Sequence, residues 1–139
     1  MNYYNEITKR IIDNEITKAV KNHSIKKSEL TTYYNVGKLL VQAEEHYGKE
    51  KIKEYSDELI KELGSKYSVK FLSDMKELYL FSKIHPLDTE LTLSQYKMLF
   101  TLIDYEEIDY YINQVKIRNL DERDLGKIIK NNEYKKLFK

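Results

Sequence analysis

Apolar residues recur at intervals of three to five positions along almost the whole chain, which is the spacing of an amphipathic helix. The same period continues, with short polar breaks, nearly to the last residue. The first such stretch runs from about Tyr3 to Asn22, and its apolar stripe consists of Ile7, Ile11, Ile12, Ile16, Ala19 and Val20. The pattern therefore predicts an all-α fold.

Polar breaks and capping residues divide this pattern into about seven helices. After the first, helices are predicted at about 28–46, 50–63 and 68–82, and three shorter ones follow. A Ser, Thr or Asp side chain at the start of a helix can accept a hydrogen bond from a free backbone amide of the first turn. The predicted caps are Ser28, Ser68, Thr92 or Ser94, Asp104 and Asp121. The pair Asn131-Asn132 is a candidate interruption of the last helix.

Three glycines occupy positions where the backbone has special requirements. Gly48 and Gly64 follow the second and third predicted helices, where a residue with positive φ often ends a helix. Gly37 lies inside the second helix and costs about 1 kcal/mol relative to alanine. This cost predicts that another helix passes close to Gly37.

The only proline separates the predicted helices into two groups. Pro86 cannot continue a helix and biases the residue before it toward extended geometry. The front helices span about 3–82 and the back helices about 92–137. Because the back group is too small to fold alone, we predict a single domain over residues 1–139. A chain of this length buries roughly two thirds of the surface that its unfolded form exposes.

The composition excludes several classes of protein. The chain has no cysteine, which excludes disulfides, thiolate metal sites and a cysteine nucleophile and fits a reducing cytoplasm. Its first residues lack the basic and apolar segments of a signal peptide, and no run approaches the roughly 18 apolar residues that span a membrane. We therefore expect a cytoplasmic protein. The 13 tyrosines suit core edges and interfaces, because tyrosine combines apolar area with a hydroxyl that can stay in water.

No pattern typical of an enzyme is present. The histidines, His23, His46 and His85, form no HExxH motif, and the four glycines are too scattered to build a phosphate-binding loop. Neighbouring acids such as Glu106 and Glu107 point about 100° apart on a helix, so they do not converge on one centre. We therefore expect no enzymatic activity, no metal site and no cofactor, and we expect the histidines at the surface.

The charges nearly balance over the whole chain but are unevenly distributed. There are 24 basic and 23 acidic residues, a net charge of +1, which argues against strong non-specific binding to polyanions. Residues 9–27 contain six basic residues against two acids, and residues 125–139 contain five lysines against Glu133 alone. Two interpretations stay open: these segments are solvated helix faces, or they contact phosphates.

The helices on either side of Gly64 have the pattern of a helix-turn-helix. Such a motif places its second helix in the major groove of DNA, with the first residues of that helix leading. The side chains that would face the duplex are Lys66, Ser68, Lys70, Ser73 and Lys76. The alternative is an ordinary antiparallel helix pair in a bundle, which is favoured by the lack of a nearby arginine and by Asp74, whose charge would repel phosphate.

An ordered set of short features makes the chain resemble the N-terminal domain of the YhcG family. The features are Tyr34-Asn35-Val36-Gly37-Lys38, Tyr47-Gly48, Tyr55-Ser56 with Leu59, Leu63-Gly64, Tyr67-Ser68-Val69, Phe71-Leu72 with Met75 and Tyr79, Leu93-Ser94 with Tyr96 and Leu99, and Arg123 with Leu125. These bacterial proteins join a helical N-terminal region to a restriction-like nuclease domain. The resemblance implies a helical domain that binds DNA or assembles the protein. It covers only the helical region, so it implies no nuclease activity.

Two hypotheses for the function follow. The first is a module that binds double-stranded DNA through the helix pair around Gly64, with Lys127 and Lys130 as additional contacts to the phosphate backbone. The second is a protein-interaction or inhibitor module that assembles with itself, a nuclease or a host protein. The second hypothesis draws on the near-neutral charge and on tyrosine, which is enriched at interface hot spots.

Overall fold

The computed structural model describes the backbone of residues 2–20 and 25–139 and the side chains of residues 2–16 and 29–139. That part of the chain is all-helical and contains no strand. Its eight helices are α1 (Tyr3–Val20), α2 (Ile25–Tyr47), α3 (Lys51–Leu63), α4 (Val69–Ser82), α5 (Leu93–Leu99), α6 (Tyr105–Arg118), α7 (Glu122–Lys130) and α8 (Glu133–Phe138). The all-α prediction is therefore confirmed. None of these helices is long and apolar enough to cross a lipid bilayer.

The difference between about seven predicted helices and the eight described lies at Asn131-Asn132. Asn132 adopts the left-handed conformation, with φ 55°, which ends the helical path of α7 and turns the chain into α8. Asparagine tolerates this conformation better than most residues other than glycine. The predicted end of the first helix at Asn22 lies outside the described residues.

Four predicted helix caps are confirmed. The side chains of Ser68, Asp104 and Asp121 accept hydrogen bonds from backbone amides in the first turns of α4, α6 and α7. Of the two candidates for α5, Thr92 is the cap, and it forms a reciprocal capping box with Gln95. The prediction for Ser28 is wrong, because α2 begins at Ile25 and Ser28 lies inside its first turn.

The helices α2 and α4 cross closely at the middle of the front group. A Cβ atom added to Gly37 would lie 2.0 Å from the backbone oxygen of Met75, so only glycine fits at this crossing. The expectation that another helix passes close to Gly37 is therefore confirmed. Around this crossing the core is formed by the buried side chains of Ile7, Leu30, Val36, Leu40, Leu59, Leu72, Met75 and Leu78.

Aromatic rings join the front group of helices to the back group across the Pro86 break. The ring of Phe81, near the end of α4, contacts Tyr96 of α5 and Phe100 just after it, with ring centroids 5.6 and 5.4 Å away. The ring of His85 stacks between Phe81 and Tyr105 at 4.9 and 4.3 Å. His85 is therefore buried, and the prediction of a surface position is wrong for this residue. Burial lowers the pKa of its imidazole, and the charge of Asp109 partly opposes that shift.

Candidate nucleic-acid interface

The predicted helix pair is formed by α3, a turn at Gly64 and α4. Gly64 ends α3 with φ 119°, a conformation that other residues rarely adopt. The hydroxyl of Ser56 in α3 donates a hydrogen bond of 2.8 Å to the backbone oxygen of Tyr67, which ties the turn to α3. Beyond this turn, α4 packs chiefly against α2. It also contacts α3 and α5, so α4 is packed on several sides by other helices.

Each lysine predicted to face DNA on this helix pair is ion-paired within the protein. The Nζ atom of Lys66 lies 3.8 Å from a carboxylate oxygen of Glu15, and that of Lys70 lies 2.6 Å from Asp74. Lys76 is held more firmly, because its Nζ donates a hydrogen bond of 2.8 Å to Glu44 of α2. The positive charges of this surface are therefore largely neutralised.

Asp74 is shared by two lysines from different helices. This residue is only 6% exposed, and the second oxygen of its carboxylate lies 3.3 Å from Nζ of Lys97 in α5. The opposing charges satisfy a buried carboxylate that would otherwise be costly to desolvate. This bridge also ties α4 to α5. Asp74, which the sequence analysis took as evidence against DNA binding, therefore has a structural role.

The two serines of the predicted site are less available than their sequence positions suggest. The hydroxyl oxygen of Ser68 accepts a hydrogen bond of 3.2 Å from the backbone amide of Phe71, which caps α4. Ser73 is half-buried. Neither side chain is therefore presented as a free group at an exposed tip of α4.

The two lysines predicted as backbone contacts lie on α7 in a different setting. Lys127 and Lys130 are exposed, and Arg123 precedes them by four and seven positions. At 100° per residue, these three side chains fall within an arc of about 60° on one face of α7. We call Arg123, Lys127 and Lys130 the α7 stripe. Within the described chain, no carboxylate lies at ion-pair distance from any of the three.

Two further exposed cations lie on α8, the helix that follows α7. Lys135 and Lys136 of α8 are exposed, and no ion pair involves them in the described residues. The one acid of this segment, Glu133, is already engaged, because it accepts hydrogen bonds from Arg118 at 2.9 Å and from Tyr110 at 2.7 Å. Burial and this carboxylate together raise the pKa of Tyr110 to about 12.

The structure thus separates the predicted residues into two groups. Lys66 lies in the turn before α4, and Lys70 and Lys76 lie on α4 itself. Lys127 and Lys130 lie on α7, and α5 packs against both α4 and α7. Sequence reasoning missed Arg123 as a site residue, although its spacing of four and seven positions to the lysines is readable from the sequence. A cluster of three or more His, Asp or Glu side chains that could hold a metal does not occur in the described parts of the chain.

Comparison with known proteins identifies a family. No curated protein and no solved structure matches the chain. The family model of the DUF1016 N-terminal domain matches residues 4–136, which is almost the whole chain and includes both α4 and the α7 stripe. The resemblance to the helical N-terminal region of YhcG-type proteins is thereby confirmed. The chain belongs to the DUF1016 N-terminal domain family.

Proposed function

We propose that this protein is a non-catalytic module of the cytoplasm that binds double-stranded DNA. The observation that carries the proposal is the set of exposed cations on α7 and α8, which comprises the α7 stripe with Lys135 and Lys136 and has no ion-pair partner among the residues that the structure describes. Unpaired cations on a rigid helix can neutralise phosphates and release the counterions condensed on them, which is the main source of sequence-independent affinity for DNA. The small net charge of the chain does not oppose this, because phosphates respond to the local distribution of charge.

The lysines around α4 are weaker candidates for contact with DNA. Lys70 is 76% exposed on its side chain, and Asp74 would keep Lys97 as a second partner, so Lys70 can leave Asp74 for a phosphate at a smaller cost than Lys76 can leave Glu44. The side chains of Lys76 and Glu44 are only 26% and 12% exposed, so breaking this pair costs more. Lys66 and Lys70 stay in the proposal as secondary contacts.

The proposal is tested by titrating a labelled DNA duplex with the protein at several salt concentrations. We expect binding that weakens steeply as salt rises, with a linear relation between the logarithms of the binding constant and the salt concentration. Phosphate contacts are strongest at low salt. Absence of binding to the duplex at about 50 mM salt would therefore refute the proposed function.

A second candidate function is protein interaction. It is favoured by exposed aliphatic residues beside the ring contacts of Phe81, His85 and Tyr105. Ile103 is 96% exposed and Ile84 is 66% exposed. The stacking of His85 on Tyr105 brings the chain segments that carry these two residues close together. Several large apolar side chains exposed together often mark an interface.

This candidate is tested with the double variant I84S/I103S and light scattering over a range of protein concentrations. Because both residues are exposed, we expect the variant to keep its stability and to lose any self-association that the unmodified protein shows. A protein that stays monomeric and recovers no partner from a host lysate would argue against this function.

A further inference from the structure

We infer that the α7 stripe is a track for the phosphates of a nucleic-acid duplex, and that α4, which packs against α2, α3 and α5, is not the helix that reads bases. This inference rests on the proposed function and specifies how the duplex is bound. It assigns sequence-independent contacts to Arg123, Lys127 and Lys130. It also adds Arg123 to the interface.

The length of the stripe fits a row of phosphates. With a rise of about 1.5 Å per residue, the seven positions from Arg123 to Lys130 span about 10 Å along α7. Phosphates of one DNA strand follow each other at about 3.4 Å along the duplex axis, so this distance covers several of them. Long, flexible Arg and Lys side chains can adjust to their positions.

The helix that carries the stripe is anchored on its opposite face. Leu125 is fully buried, and Asp121 caps the first turn by accepting a hydrogen bond of 2.7 Å from the amide of Asp124. The acids of α7, Glu122 and Asp124, lie about 100° from Arg123 on either side, so they flank the stripe and do not interrupt it. The anchored helix therefore holds the backbone positions of Arg123, Lys127 and Lys130 in line before any ligand binds.

The composition of α7 favours a duplex and phosphate contacts. Proteins that hold single strands stack bases on aromatic side chains, and α7 has no aromatic residue. Base edges are read by Arg, Lys, Asn, Gln, Ser or Thr side chains that enter a groove, and α7 has no Asn, Gln, Ser or Thr. Because the stripe offers only Arg and Lys, which also contact phosphates, we expect it to bind mainly the backbone, with little dependence on sequence.

The packing of α4 opposes a base-reading role for that helix. Its residues Leu72, Asp74, Met75 and Leu78 are buried, and the helix crosses α2 in backbone contact at Gly37. Its first turn is capped from within the chain, and its one half-buried lysine is paired with a carboxylate of α2. In a major groove, Ser68 could contact DNA only by giving up its role as a cap, and Lys76 only by leaving its pair with Glu44. The α7 stripe needs no such rearrangement.

The experiment compares three variants by fluorescence anisotropy with a labelled duplex. The first variant, R123Q/K127Q/K130Q, neutralises the α7 stripe. The second, K49Q/K53Q/K61Q, is matched to it in charge and removes three exposed lysines at or near α3, whose surface carries interspersed acids. The third, K66Q/K70Q, removes the two lysines at or just before the start of α4 whose ion pairs with Glu15 and Asp74 are the easiest to break. Circular dichroism and urea unfolding check that each variant is folded.

We expect the first variant to bind the duplex more weakly, by roughly a factor of ten or more at low salt. The third variant should lose much less affinity, because Lys66 and Lys70 are only secondary contacts, and the second variant should bind like the unmodified protein. For the first variant, the effect of salt is also informative. Its salt dependence should become shallower by about one for each phosphate that the variant no longer neutralises. Two unrelated duplexes of equal length should bind similarly, and more tightly than a single strand.

Other outcomes separate the inference from the proposed function. If the unmodified protein binds no nucleic acid, the function itself fails. If it binds, but the α4 variant loses affinity while the α7 variant keeps it, the function stands and the phosphate track is wrong. Preference for single strands, or a strong preference for one duplex sequence, would also overturn the inference.

Discussion

At the scale of single residues, Gly37 is a position where the fold leaves no room for a side chain. The backbone of α4 occupies the space that any side chain at this position would need. Sequence reasoning identified the close approach, because a glycine in the middle of a helix requires a compensating reason. It could not identify Met75 as the neighbour, since nothing local relates positions 37 and 75.

Substitution of Gly37 by alanine should destabilise the protein by about 3 kcal/mol, because the added methyl group would force α2 and α4 apart. Gly126→Ala is the matched control. A Cβ atom there meets only the side chain of Met98, at 3.7 Å, and alanine favours a helix interior by about 0.5–1 kcal/mol. Urea unfolding measures both free energies. Equal stabilities of the two variants would contradict the close crossing.

At the scale of the helix, the boundaries that could be predicted are those set by local contacts. The caps at Ser68, Asp104 and Asp121 each use a hydrogen bond to an amide two or three positions away, so their signals lie in a short stretch of sequence. Local sequence could not predict which charged side chains on α4 are free to bind a ligand and which are already paired within the protein. Lys76 is neutralised by Glu44, which is 32 positions earlier in the chain.

The prediction for Ser68 follows from its role as a cap. Ser68→Ala should lower the free energy of unfolding by about 1 kcal/mol, because an amide at the start of α4 loses its hydrogen-bond acceptor. It should leave affinity for DNA nearly unchanged. Ser65→Ala, at an exposed position of the same turn, is the control and should change stability by less than about 0.5 kcal/mol. A loss of DNA affinity without a loss of stability would restore Ser68 as a contact residue.

At the scale of the whole molecule, the tyrosines connect the helices to each other. Tyr67 contacts α1 through its hydroxyl, which donates a hydrogen bond of 3.3 Å to Glu15. Tyr96 is fully buried in the back group, and its hydroxyl accepts a hydrogen bond of 2.7 Å from the amide of Asp88. The abundance of tyrosine suggested both core edges and interfaces. These two residues serve the packing of the chain itself.

The buried tyrosines predict a loss of stability in alkaline solution. Burial is the largest cause that raises the pKa values of Tyr67 and Tyr96 to about 12, from about 10 in the unfolded chain. Above pH 10 the unfolded state therefore releases protons that the folded state retains, and stability falls as pH rises from about 10 to about 12. Urea unfolding at a series of pH values measures this. Tyr96→Phe should reduce the slope in that range, and an unchanged slope would contradict the assigned pKa.

A single carboxylate, that of Asp74, neutralises two lysines on this face of the molecule. Replacing that carboxylate by the isosteric amide, Asp74→Asn, keeps the shape of the side chain but leaves Lys70 and Lys97 without their common counterion. Both ammonium groups would then be free to attract a polyanion. The change from aspartate to asparagine would therefore turn a largely neutral face of α4 into a cationic one, at the cost of the ionic bridge between α4 and α5.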